Sequence, residues 1–321
     1  MTTGGCKQTV SVIVPCYNER ETIDEFYRRM TGVADRAGSY DFEIIFVNDG
    51  SGDDTALRLN ELSDRDRRVK VVHLARNMGH QIAITAGMDF ADGDLIVIID
   101  ADLQDPPEEI PGMLAKLEEG FDLVHAQRKR RDGESGFKLA TAWLFYKLMR
   151  RFSSRDIVDN CGDFRAFNHK VLKVVRKFRE RHRFMRGIFA SIGFRQCIIQ
   201  YDRDRRYAGE TKYPFRKMLG LAINAILSFS SSPIRFITWA SFALWGISLI
   251  YLIKALLDHF VFKVTVPGWT SIIILMTFYN GIILFSIGII GSYVGRSFEQ
   301  AQGRPLYWIG DTRNIDRGET E

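Results

Sequence analysis

The apolar residues Leu95 to Ile99 run without a break into Asp100-Ala-Asp-Leu-Gln-Asp-Pro-Pro107. The run is short, continuous and β-branched, which predicts a buried central strand in a sheet covered on both faces. The two prolines that follow cannot extend it. Asp100 and Asp102 therefore stand at a strand's carboxyl end, where open α/β sheets place their ligands. Two carboxylates facing a pyrophosphate there would suit a hard cation such as Mg²⁺ or Mn²⁺, which takes carboxylate and phosphate oxygens. A bare Asp-x-Asp is more often a solvated acidic turn, so the context has to decide.

That context is a repeating pattern. Residues 10–14 read as a first strand, ended by Pro15 and followed by Cys16-Tyr-Asn-Glu19. Residues 21–37 carry helical spacing through Ile23, Phe26, Tyr27, Met30 and Val33. A second strand, 42–47, leads into Asn48-Asp-Gly-Ser-Gly-Asp-Asp-Thr55 and a helix over 56–63. A third, 69–74, leads into Ala75-Arg-Asn-Met-Gly-His80 and a helix ending near Ala91. Strands alternating with helices of this length predict an α/β fold with a mostly parallel sheet. No G-x-G-x-x-G follows the first strand, which argues against a dinucleotide-dependent dehydrogenase. Carboxylates and amides at the strand ends suit ribose hydroxyls and base edges instead. Taken singly, Asp49 reads as a turn or cap residue.

Four ordered motifs, Val12-Ile-Val-Pro-Cys-Tyr-Asn-Glu19, Val47-Asn-Asp-Gly-Ser51, Arg76-Asn-Met-Gly79 and Asp100-Ala-Asp-Leu-Gln-Asp-Pro-Pro-Glu108, resemble the inverting family-2 glycosyltransferases of GT-A fold. Within that family they are similar to the polyprenyl-phosphate group, the bactoprenol glucosyltransferases and dolichol-phosphate mannose synthases. The resemblance implies that Pro15, Tyr17, Glu19, Asp49 and Arg76 serve the donor nucleotide. It implies that Asp100, Asp102 and Gln104 serve Mg²⁺ or Mn²⁺, with Asp102 also catalytic. Gly162-Asp-Phe-Arg165 looks like the family's G-D-F-R segment, in which an aspartate has been proposed as the acceptor base; Asp163 and Arg165 match it, while Asn160 stands where relatives often carry Asp. Arg206 and Lys212 fall in a stretch resembling the loop over the donor pyrophosphate. The processive polysaccharide synthases share the early motifs but carry a Gln-x-x-Arg-Trp segment that is not found here. The remaining alternative is a non-enzymatic membrane protein that binds nucleotide sugars.

The rest of the chain changes character. Residues 137–152 form a basic, aromatic, helix-spaced segment, either a packed helix or one lying on a membrane surface. Residues 176–186 (RKFRERHRFMR) read as a solvated basic face, or as cations near anionic substrates. Residues 236–253 and 264–295 hold no charge and contain Trp239, Trp245, Trp269 and Tyr293, so both pass the length test for membrane helices. Arg235 and Lys217 before them, and Arg296, Arg304 and Arg313 after, put both ends on the cytoplasmic side by the positive-inside rule. The expected organisation is thus a GT-A domain over 1–234 with interfacial helices near 137–152 and 214–232. A two-helix anchor over 235–295 and a cytoplasmic tail over 296–321, fraying from Asp311, complete it.

The first residues are too polar for a signal peptide. The four cysteines show no metal-type or paired spacing and read as reduced thiols. Gly281, Gly288, Gly291 and Gly295 would permit close helix packing, within one chain or in a homo-oligomer. The expected partners are a nucleotide sugar, UDP-glucose by default, undecaprenyl phosphate and the bilayer, with no nucleic acid. Such an enzyme is a multi-pass protein of the inner or plasma membrane that makes a lipid-linked sugar for cell-surface glycans.

Overall fold

The computed structural model describes residues 7–129, 161–202, 232–261 and 268–315. The chain divides into two compact units. One comprises residues 1–150, 154–217 and 305–321, the other 151–153 and 218–304.

The first unit is built on one eight-stranded sheet in the order β7-β5-β6-β4-β1-β2-β3-β8. Its centre follows the expected pattern: β1 (Gln8–Cys16), β2 (Tyr40–Asn48), β3 (Val69–Leu74) and β4 (Leu95–Ile98) pair in parallel. Three helices return the chain between them: α1 (Ile23–Arg36), α2 (Thr55–Arg65) and α3 (His80–Phe90). After α4 (Ile110–Glu118) the sheet becomes mixed. β5 (Leu123–Arg128) pairs in parallel with β7 (Gln196–Tyr201), and β6 (Cys161–Asn168) runs antiparallel to both β4 and β5. The short helices α5 (His169–Val175) and α6 (Met185–Ser191) link β6 to β7.

Strand alternation puts helices on both faces. Val10, Val12 and Val14 of β1 join a core with Ile23, Phe26 and Met30 of α1, Leu59 of α2 and Met113 of α4. Ile13 points the other way, onto α3, where Gly87 lies so close that a Cβ would collide with the Ile13 side chain. On β6 the same alternation gives Phe164 and Ala166 to the first core, while Phe167 meets Phe189 of α6 at 5.2 Å between ring centroids. Because β1 lies between β2 and β4, strand order reverses there, and the carboxyl ends of β1 and β4 are where an open α/β sheet places its ligand crevice.

One buried titratable group in this sheet gives the domain an acid sensitivity. His125 on β5 is 5% exposed, its Nε2 2.9 Å from Gln196 Oε1. Burial, helped by the Arg165 charge, pushes its pKa down from 6.5 to about 4. The unfolded chain therefore binds more protons than the folded one between those values, so stability falls as pH drops from 6.5 towards 4. His125's share is up to roughly 3 kcal/mol. Thermal midpoints at pH 7 and pH 5 should differ less in His125→Gln than in the unmodified protein.

The end of the chain departs from expectation. The tail does not fray at Asp311: Ile309–Arg313 forms β8, antiparallel to β3 on the sheet edge. Asn314 closes it by donating to Ser63 O (2.6 Å) and Val69 O (2.9 Å). Its polar, glycine-containing sequence gave no strand signal, because an edge strand need not alternate.

In the second unit, α7 (Ser232–Phe260) and α8 (Trp269–Ala301) pack against each other. Within α8, the 24 residues Phe278–Ala301 are long and apolar enough to cross a membrane. At about 1.5 Å per residue they reach about 36 Å, against a hydrocarbon core of about 30 Å. In α7 the corresponding apolar run among the described residues is the shorter Ile237–Ile247. Two spans were expected; among the described residues one helix meets the criterion. The segments 137–152 and 214–231 lie outside the described residues.

Candidate active site

The site is assembled at the carboxyl ends of β1, β2, β3 and β4, with β6 beside β4. β1 carries Pro15 opposite Val47, and then a loop through Tyr17, which is 44% exposed at the crevice. Asn18, with φ 54°, turns this loop onto the one after β2. Its N–H donates to Ser51 Oγ (3.0 Å) and its Oδ1 accepts from Gly52 N (2.9 Å), while Glu19 N donates to Thr55 Oγ1 (2.9 Å). Thr22 Oγ1 donates to the Glu19 carboxylate at 3.0 Å. Asp49, 3% exposed, accepts from Met78 N (2.6 Å) and Gly79 N (2.9 Å), so its two oxygens organise the loop after β3. That loop presses on Gly50, whose φ of 60° and contact with the Arg76 backbone leave no room for a Cβ.

The Asp-x-Asp turn is strained. Leu103, 1% exposed, adopts φ 60°, a region that costs a side-chain-bearing residue roughly 1–3 kcal/mol. The turn is held because Gln104 N donates to Asp102 Oδ1 (3.1 Å) and because Asp105, 1% exposed, accepts from Tyr201 and from Arg128 (3.3 Å). Sequence reasoning missed Asp105, which stands inside the motif it singled out.

Strand register explains how Asp163 arrives. Ile98 of β4 faces Arg165 of β6 in an antiparallel pair. Continuing that register by two residues sets Asp163 opposite Asp100. Between them stands His80, the first residue of α3, with Nε2 3.1 Å from Asp163 Oδ2 and 3.6 Å from Asp100 Oδ1. Gln81 Nε2 also donates to Asp163 Oδ2 (3.1 Å), while Gln81 Oε1 accepts from Met185 N (2.8 Å). On its other oxygen Asp163 receives Arg165 Nη2 (3.3 Å) and faces Arg186 Nε (3.5 Å). His80, Gln81 and Arg186 were not expected here. The available signals were faint: His80 and Gln81 directly follow the Arg76–Gly79 motif, and Arg186 ends the basic run.

Electrostatics give the carboxylates opposite characters. Burial alone would raise the Asp163 pKa, but Arg186, the His80 hydrogen bond and Arg165 outweigh it and hold it well below the usual carboxylate range. Burial raises Asp100 to about 6, with Asp105, Asp102 and Asp163 adding to the rise and His80 opposing it. His80 itself, which burial would lower, is lifted to about 9 by Asp100 and Asp163. Arg165 is 1% exposed and stacks over Phe189 at 4.3 Å; its Nε and Nη2 donate to Asp163 and Gly162 O (2.9 Å), while its Nη1 is buried with no hydrogen-bond partner. It braces Asp163 and offers no surface to a substrate.

The Asp100 side passes a test for a cation. Its Oδ1 is buried with no hydrogen-bond partner, in a cluster of carboxylates whose mutual repulsion a divalent ion would relieve. Among the described residues no three His, Cys, Asp or Glu side chains converge as a complete metal centre. The donor set fits an ion that takes one or two carboxylates and completes its shell with phosphate oxygens. Arg206, Lys212 and Asn160 lie outside the described residues.

The basic run 176–186 is mostly committed elsewhere. Arg176 donates to Met88 O (2.8 Å) and Ala91 O (2.5 Å) at the end of α3, Arg179 pairs with Asp89 (2.7 Å), and Arg183 donates to Phe178 O (2.5 Å). Arg186 is the member drawn to the crevice, and it stays 35% exposed.

Carboxylates and cations gathered at a sheet's switch point define the candidate active site of an α/β enzyme. Known proteins sharpen this. The family model described as "Glycosyl transferase family 2" matches residues 11–176, and the chain belongs to that family. It is 42% identical over 306 residues, 95% of this chain and 94% of the relative, to the uncharacterized glycosyltransferase YkcC of Bacillus subtilis. It is 38% identical to the prophage bactoprenol glucosyl transferase homolog of Escherichia coli, covering 94% of this chain and 98% of that one. It is 37% identical to the bactoprenol glucosyl transferase of Shigella phage SfII, covering 94% and 97%. The protein is a glycosyltransferase.

Proposed function

We propose that the enzyme transfers one sugar, glucose from UDP-glucose, to the phosphate of undecaprenol or a related polyprenol, with inversion at the anomeric carbon. The observation that carries this reading is one cluster in which His80 stands between Asp100 and Asp163 and Arg186 faces Asp163 from the other side. A diphosphate with its cation would lie on the Asp100 side of this cluster and a phosphate acceptor on the Arg186 side. Full-length similarity to bactoprenol glucosyl transferases supports the acceptor class.

In this reading the loops after β1, β2 and β3 bind the nucleoside, with Tyr17, Glu19 and the Asp49-ordered loop around it. Asp100 and Asp102 would hold Mg²⁺ or Mn²⁺, which when bound supplies Lewis acidity for the departing diphosphate. The bond from the anomeric carbon to the donor phosphate oxygen breaks, its electron pair leaving on the nucleoside diphosphate. An acceptor phosphate oxygen forms the new bond from the opposite face. A phosphate monoester has its second pKa near 6, so it arrives largely as the dianion and needs no strong base. Asp163 suits that economy, because a carboxylate held so far down has little proton affinity. It orients His80 and Arg186, whose side chains are 37% and 35% exposed, as a cationic receptor for the acceptor. Two apolar helices over 232–260 and 269–301 would anchor the enzyme in the inner or plasma membrane, with the glycosyltransferase domain in the cytoplasm.

Mass spectrometry of the lipid product tests the proposal. Undecaprenyl phosphate plus one hexose is expected. A ladder of masses would indicate a processive synthase, and UDP release without a lipid product another acceptor.

A further inference from the structure

The C-terminal segment that follows α8 returns to the edge of the donor site. Ala75 N donates to Trp308 O at 2.9 Å, continuing the β3–β8 pairing to the start of the Arg76–Gly79 loop. The Arg76 guanidinium lies over the Trp308 ring, 5.2 Å from its centroid, and its Nε points to Met78 Sδ at 3.4 Å. Gly310 packs near the Ala75 Cα. On the inner side of the same loop, Asp49 holds Met78 and Gly79, and Gly50 touches the Arg76 backbone. The loop is thus clamped between the β2 end and the C-terminal segment. Tyr307 fixes that segment from the other direction by donating to Asp89 (2.8 Å), the partner of Arg179.

Trp308 stays 43% exposed, more than a side chain serving only the core would, and its indole ring faces the Arg76 cation. A tryptophan face held over a guanidinium restricts where that charge can point. We infer that Trp308 is a positioning residue for the donor: through Arg76 and the Ala75–Gly79 loop it sets the affinity for the nucleoside diphosphate. This rests on the reading that the β1–β3 loops bind the donor nucleotide. It makes the chain beyond the apolar helices part of the enzyme's donor site.

The test uses the full-length protein in detergent, with UDP-glucose as donor, undecaprenyl phosphate as acceptor and free UDP as a binding probe. Trp308→Ala should raise the donor KM and the UDP Kd by about three- to tenfold. Its kcat and acceptor KM should stay within about twofold, and Trp308→Phe should recover most of the donor affinity. UDP should change the intrinsic fluorescence of the unmodified protein, and that change should shrink in Trp308→Phe. An unchanged donor KM in Trp308→Ala would overturn the inference. So would a fall in kcat and melting temperature with no shift in donor KM, which would mark Trp308 as merely structural. Absence of transfer by the unmodified protein, with UDP binding intact and still dependent on Trp308, would overturn the proposed acceptor but not this inference.

Discussion

Asp100→Asn is expected to lower sugar transfer by about 10³-fold while leaving the fold intact, the scale on which removing one preorganised charge from a reacting centre is felt. The residue sits beyond the last β4 residue, with one carboxylate oxygen buried and without a hydrogen-bond partner. Asparagine matches its shape, relieves the repulsion from Asp102, Asp105 and Asp163, and so should leave stability unchanged or raise it. A stability gain paired with an activity loss marks a group kept for chemistry and not for structure. Initial rates at saturating donor, together with thermal midpoints of both proteins, read the two effects separately. Near-normal turnover in the variant would remove Asp100 from the mechanism.

Asp163→Asn should behave in the opposite way. Here the carboxylate compensates Arg165, which is 1% exposed and has no route to solvent, and also holds His80 and Arg186. Breaking a buried pair from one side leaves an uncompensated charge and costs about 3–5 kcal/mol. The variant should therefore melt well below the unmodified protein and lose transfer as its cationic receptor disperses. If Asp163 were a proton acceptor alone, asparagine would abolish transfer with little change in melting temperature. Measuring the two quantities on one preparation separates the roles.

The two aspartates show where sequence reading reaches. Asp100 was legible because a β-branched run, a strand end and a double proline are all local signals. Asp163 was reached only through family resemblance, since β6 is antiparallel and its register against β4 is a long-range fact. His80 lies 83 residues from Asp163 in sequence, and nothing in the segment Gly79-His-Gln81 announces that pairing. The same limit hid Asp105, whose partners Arg128 and Tyr201 sit on β5 and β7. It also hid β8, where a polar edge strand carries no hydrophobic period and its pairing with β3 crosses most of the chain. The basic run left two readings open for a related reason. A cluster of arginines looks the same in sequence whether it binds substrate, caps α3 or neutralises Asp89. The helices α7 and α8 were legible as helices from their uncharged length.

The most direct measurement is lipid-linked product formation from undecaprenyl phosphate with a panel of radiolabelled UDP- and GDP-sugars, in detergent, with Mg²⁺ or Mn²⁺ and again with EDTA. One labelled lipid product is expected, formed from UDP-glucose and lost on chelation. Turnover undiminished by EDTA would contradict the cation role given to Asp100 and Asp102, and donor binding without any lipid product would contradict the transfer itself.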